Sequence, residues 1–300
     1  MRIQNINPIY FQNTNLQKTP AKQDKIAFKS SPAVQQSMKK FIPEAGFFMF
    51  NTPNLSKANI EAFLRKFKPQ INVRLFSYEE SLREKYQARA EIEMGMDFCL
   101  NPKIRNTTMA LCLHNCNSFE DRVRLFEDVV HEMTHIYQAE DKCDSNSQNF
   151  SINYIKEQVM KNPSEQVFNE AHKTVENALK LYSEVEHNMH EVLARGGYMY
   201  LNNIPKPIRE ANPLDLESTF FRLTGRTSID YMRDLVTNGM KKYNIKDTAF
   251  IEKLFRAHSA NEAEAHTTGL NAVKHIMGIV GDADRDFVPM LYKRMSQFKL

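Results

Sequence analysis

Two histidines and a glutamate stand together in the run His131-Glu132-Met133-Thr134-His135. On a helix of 3.6 residues per turn, side chains four apart lie one above the other, about 40° round the axis. Both imidazoles can then reach one tetrahedral cation, for which ring nitrogen is a common ligand. Glu132 is turned roughly 100° from His131. From there its carboxylate faces the open side of the metal without being a ligand, and it can take a proton from water that the metal activates. Metal-assisted hydrolysis is the chemistry this spacing points to.

That chemistry needs a helix, and the surrounding residues supply one. The stretch SFEDRVRLFEDVVHEMTHIYQ opens on Ser118 as an N-cap, with Glu120 and Asp121 in the first turn. Val123, Phe126, Val130, Met133 and Tyr137 follow at steps of three and four, which predicts a largely buried helix. Two imidazoles and a carboxylate buried there without partners would be costly, and a bound metal offsets that cost.

The segment VVHEMTHIYQ resembles the active-site helix of the zincin metallopeptidases, which carry a hydrophobic residue before the motif and another after it. The resemblance implies Zn2+ held by His131 and His135, Glu132 as general base, and hydrolysis of a peptide bond in a peptide or protein substrate. Zincins also run an edge strand beside the substrate, and here RAEIEMGMDFCL or TTMALCL would serve by added β-pairing.

A catalytic zinc keeps three protein ligands, so a third side chain must come from elsewhere. Asp141 occupies the final position of the metzincin frame, but Gln138 replaces the glycine that lets such a chain turn. A glutamate on a later helix is the better source. Glu191 in HEVLARGG and Glu262 in SANEAEAHTTG each have Ala three residues on, amid small residues that let one helix press on another; Glu264 is the further alternative. Asn261-Glu262-Ala263-Glu264-Ala265-His266 is similar to the glutamate helices of the gluzincins, the NExxSD of the thermolysin family and the ExExAD of membrane-associated zincins. It departs at His266, where those families carry Asp to accept a hydrogen bond from a zinc-bound histidine. Glu262 is therefore the preferred third ligand. Tyr198, His190 and His266 are candidates for stabilising an oxyanion.

The elements that position these residues read as α+β: a small mixed β-sheet followed by a mainly helical, zincin-like catalytic domain. Residues 1–40 are expected to be a disordered leader, rich in Asn, Gln, Lys, Ser and Pro. The domain is expected over 41–300, with a sheet-containing part at 41–117 and a helical part at 118–300. AGFFMF, INVRLF, RAEIEMGMDFCL and TTMALCL are the strand segments, and NLSKANIEAFLRKFKP predicts an amphipathic helix between the first two.

Composition narrows the partners. Forty Lys plus Arg against thirty-six Asp plus Glu leave a net charge of +4, without a basic stripe, so nucleic acid is not an expected partner. No apolar run suggests a membrane span. The start of the chain lacks the pattern of a secretory signal, which predicts a cytoplasmic protein unless a leaderless route exports it. The four cysteines, Cys99, Cys112, Cys116 and Cys143, are too few for a disulfide scaffold. Cys112-Leu113-His114-Asn115-Cys116 lacks a fourth ligand for structural zinc. His187 and His190, set among Glu184, Glu186 and Glu191, read as a solvated face. Two rival readings remain: a catalytically inactive zincin-fold binding or interaction protein, and a helical scaffold in which the motif is accidental.

Overall fold

The computed structural model describes residues 31–77, 90–96, 104–112, 118–141, 147–197, 213–280 and 286–300. Its first element is helix α1 (Pro32–Asn51). This corrects two expectations: residues 32–40 are helical rather than disordered, and AGFFMF is helical. Residues 1–30 lie outside the described residues. Val34, Met38, Phe41, Ala45 and Met49 recur at steps of three and four and are all buried. A short apolar run such as 45–50 does not by itself separate strand from buried helix; the longer stripe does. Pro43 sits inside this helix and removes one of its hydrogen bonds.

Helix α2 (Lys57–Arg65) lies within the expected amphipathic segment. Ser56 and Asn59 cap it reciprocally, each side chain accepting from the other's backbone N–H. Ile60, Phe63 and Leu64 face inward. Three strands follow: β1 (Ile71–Phe76), β2 (Ala90–Met96) and β3 (Ile104–Cys112). They pair in the order β1-β3-β2, with β3 parallel to β1 and antiparallel to β2, so the sheet is small and mixed.

The remaining elements among the described residues are helices: α3 (Phe119–Glu140), α4 (Ser147–Lys161), α5 (Glu165–Arg195), α6 (Pro213–Thr224), α7 (Ser228–Lys242), α8 (Thr248–Met277) and α9 (Phe287–Met295). The fold class is α+β, as expected, although two helices precede the sheet. No helix among the described residues is long and apolar enough to cross a membrane.

Two hydrophobic clusters form. One joins α1, α2, β1, β3 and α3 with Ala272 and Val273 from the far end of α8. The other gathers side chains of α4 to α9, including Phe250, Ile251, Leu254 and Phe255 from the start of α8. Helix α8, at 30 residues, thus runs about 45 Å and belongs to both. Its middle presses against α3. A Cβ at Gly269 would stand 3.1 Å from the Glu127 carbonyl oxygen and 3.7 Å from His131 Cβ, so the helices meet backbone to backbone at the motif. The stripe of small residues explains that approach: Ala263, Ala265, Thr267, Thr268, Gly269 and Ala272 are all buried.

Polar contacts fix the ends. Arg122 of α3 donates to the carbonyl oxygens of Met49 and Thr52, at 2.6 and 2.7 Å, which satisfies the C-terminus of α1. Lys274 Nζ of α8 lies 3.1 Å from Asp286 Oδ2 at the start of α9, with both side chains almost fully buried.

Phe41 is fully buried against the rings of Phe63 and Phe67. Phe41→Ala should lower the unfolding free energy by about 3–5 kcal/mol in urea titration, and an unchanged midpoint would show that α1 is not part of the core. Gly269→Val should cost about 1–3 kcal/mol by the same measurement, because the added methyls meet a backbone carbonyl that cannot rotate away.

Candidate metal centre

Helix α3 forms where the spacing predicts. Ser118 caps it by accepting from Asp121 N–H at 3.0 Å, and Phe126, Val129, Val130 and Met133 bury its inner face. His131 and His135 consequently project from the same side, one turn apart, with their Nε2 atoms 3.0 Å from each other. Glu262 of α8 completes the group. Its Oε2 lies 3.5 Å from His131 Nε2 and its Oε1 lies 3.3 Å from His135 Nε2. Ligand bonds of about 2.0–2.2 Å at tetrahedral angles place donor atoms about 3.3–3.6 Å apart. Two imidazole nitrogens and a carboxylate at this spacing could hold zinc, and the donor types suit it.

Of the other glutamates considered, Glu191 lies on α5, exposed and paired with Arg195 one turn on, so it is not at the site. Asp141 caps the end of α3 and is not part of the cluster. Glu264 has a different place. It accepts a hydrogen bond from Gln138 Nε2 at 2.7 Å, while Gln138 Oε1 lies 3.0 Å from His135 Nδ1. A carboxylate oxygen accepts, so it selects the NH2 end of the amide and leaves the carbonyl oxygen facing the ring. His135 must then carry a hydrogen on Nδ1, which frees the Nε2 lone pair for a metal. Gln138, which broke the metzincin frame, thus orients the second histidine. Its identity as a supporting residue was open to sequence reasoning only as position i+3 from His135.

The electrostatics of the site are those of charges held together out of water. Burial opposes a charge on His135, but the Glu262 carboxylate overrides it and carries the pKa up to about 9. The same pairing, against the opposing effect of burial, keeps Glu262 ionised well below the usual carboxylate range. A divalent cation would compete with a proton for the same His135 lone pair. Glu132 is buried on α3, close enough for its charge to reinforce that on His135.

Behind this group lies a buried polar layer that the sequence reading treated as solvated surface. The surface description suits Glu184, which pairs with Lys242 and Tyr243, and Glu191. It does not suit Glu186 or His190. Tyr292 OH of α9 donates to Glu186 Oε1 at 2.6 Å, and burial with the nearby Glu262 charge pushes Glu186 up to about 8. His190 is 7 % exposed, and burial holds its pKa down to about 4. Both follow Tyr182, at i+4 and i+8, on the buried face of α5; that spacing was the available signal. His266 of α8 has its ring against His131 at 4.3 Å between centroids and stacked on Tyr292 at 5.1 Å. Tyr198, Cys99, Cys116, Cys143 and the segment 113–117 lie outside the described residues.

Gln138→Leu removes its hydrogen bonds to His135, Glu264 and the Asn261 carbonyl oxygen at similar volume. Zinc affinity, measured by competition with a chromophoric chelator, should fall about 10- to 100-fold with helix content unchanged. An unaltered affinity would show that Gln138 does not orient His135.

Set beside known proteins, the chain matches no family model, no curated protein and no solved structure.

Proposed function

We propose that the protein is a zinc-dependent metallopeptidase of gluzincin type, with His131, His135 and Glu262 as metal ligands and Glu132 as general base. The observation that carries this reading is the convergence of two Nε2 atoms and one carboxylate, 3.0–3.5 Å apart, contributed by two helices far apart in sequence. When bound, zinc supplies a Lewis acid that polarises a carbonyl and lowers the pKa of water. Glu132, beside the first histidine, takes the proton from the attacking water and returns it to the departing amine. Its burial favours that role, because a carboxylate kept from bulk water acts on the one molecule placed against it.

Helix α3 packs against β2 and β3. β3 is hydrogen-bonded on both sides and has no edge to offer, which removes TTMALCL from consideration. β2 is an edge strand among the described residues, and an extended peptide pairing with it would run beside the α3 motif. Among the described residues His190 Nε2 is buried with no hydrogen-bond partner, which makes it a candidate to meet an oxygen that gains charge during reaction.

Glu132→Gln tests the assignment. The variant should retain zinc at wild-type stoichiometry and cleave a peptide library about 10²- to 10⁴-fold more slowly than wild type. Wild-type protein that holds stoichiometric zinc and cleaves nothing would overturn the peptidase reading in favour of a metal-holding interaction module.

A further inference from the structure

We propose that His266 is a fourth protein ligand to the metal. The proposal rests on the metal-site reading above and extends it to a residue outside the zincin pattern.

Glu262 and His266 are one turn apart on α8, as His131 and His135 are on α3. Because α8 presses on α3 at Gly269, the two pairs are brought toward each other, and His131 and Glu262 are common to the group with His135 and to the group with His266. Donor atoms of His131, Glu262 and His266 all lie within 4.8 Å of one another. Donors bound to one zinc stand about 3.3–3.6 Å apart, so metal binding would draw this group inward by up to about an ångström.

The His266 ring is also held in place for that role. Tyr292 stacks on it with 18° between the planes, and His131 abuts it at 63°. Tyr292 is itself 2 % exposed and anchored through its hydroxyl to Glu186. Among the described residues, neither ring nitrogen of His266 has a hydrogen-bond partner. A partly buried imidazole packed against His131 and Tyr292, with its donor atom beside those of His131 and Glu262, is well placed to take the same ion. Four protein donors would fill a tetrahedral zinc site, so hydrolysis there would require water to enter as a further ligand. The aspartate that gluzincins carry here acts on a ligand from behind; His266 instead contributes a lone pair directly.

Two variants separate ligation from packing. His266→Ala removes the ring, whereas His266→Phe keeps a ring between His131 and Tyr292 and removes only the nitrogens. Zinc affinity by chelator competition and the visible absorption of the Co2+-loaded protein are the readouts, with circular dichroism confirming the fold. Both variants should bind zinc more than about 100-fold more weakly, beyond what loss of a merely supporting contact costs, and both should shift the cobalt bands. A Phe variant with wild-type affinity and spectrum would overturn the proposal, while loss of binding in His131→Ala would leave the three-ligand centre standing. Wild-type protein that binds neither metal would remove the centre and the fourth ligand together.

Discussion

The contact between α3 and α8 at Gly269 governs everything at the candidate centre. Helices with ordinary side chains between them keep their axes 8–10 Å apart, and the longer reach would leave Glu262 short of the two histidines. With no side chain at Gly269 and small ones around it, the Glu127 carbonyl is approached almost to contact. The i and i+4 faces of the two helices then meet squarely. The donors come from both helices, so the centre exists only as a property of their packing.

That packing encloses an unusual concentration of ionisable groups. Glu132, Glu186, Glu262, His131, His135, His190 and His266 all lie on α3, α5 and α8, with Tyr292 of α9 against them. Removed from water, each would be costly alone. The arrangement resolves this by pairing: Glu262 with the two histidines, Glu186 with Tyr292, and Gln138 between His135 and Glu264. The hydrogen bonds through Gln138 do more than satisfy atoms, since they decide which nitrogen of His135 keeps its lone pair.

Much of this was legible in the residues, and the reasons for the failures are physical. The helix carrying His131 and His135 was readable because cap, acidic first turn and apolar steps agree. Glu262 was readable because small residues around it signal close packing. Glu191 has similar neighbours in Ala194, Gly196 and Gly197, yet it faces solvent, because composition shows that a helix can be approached but not from which side. AGFFMF was misread because six residues sample too little of a helical stripe; the turns before it, from Val34 to Phe41, hold the rest. Charge marks Glu186 and His190 as surface, whereas phase does not: counted from Tyr182, both fall toward the inner face of α5, His190 buried and Glu186 half-buried. Strand pairing was beyond reach, since the crossover that puts β3 between β1 and β2 leaves no local trace.

Helix α8 is shared by both hydrophobic clusters, and this has a mechanical consequence. A slip of one residue along its axis would shift it about 1.5 Å and rotate it about 100°, carrying the donor face away from α3 altogether. The Lys274–Asp286 pair, which ties the far end of α8 to the start of α9, opposes such a slip. The centre therefore has no graded, half-assembled condition: it is either wholly built or absent, and its integrity reports the docking of the two halves of the molecule.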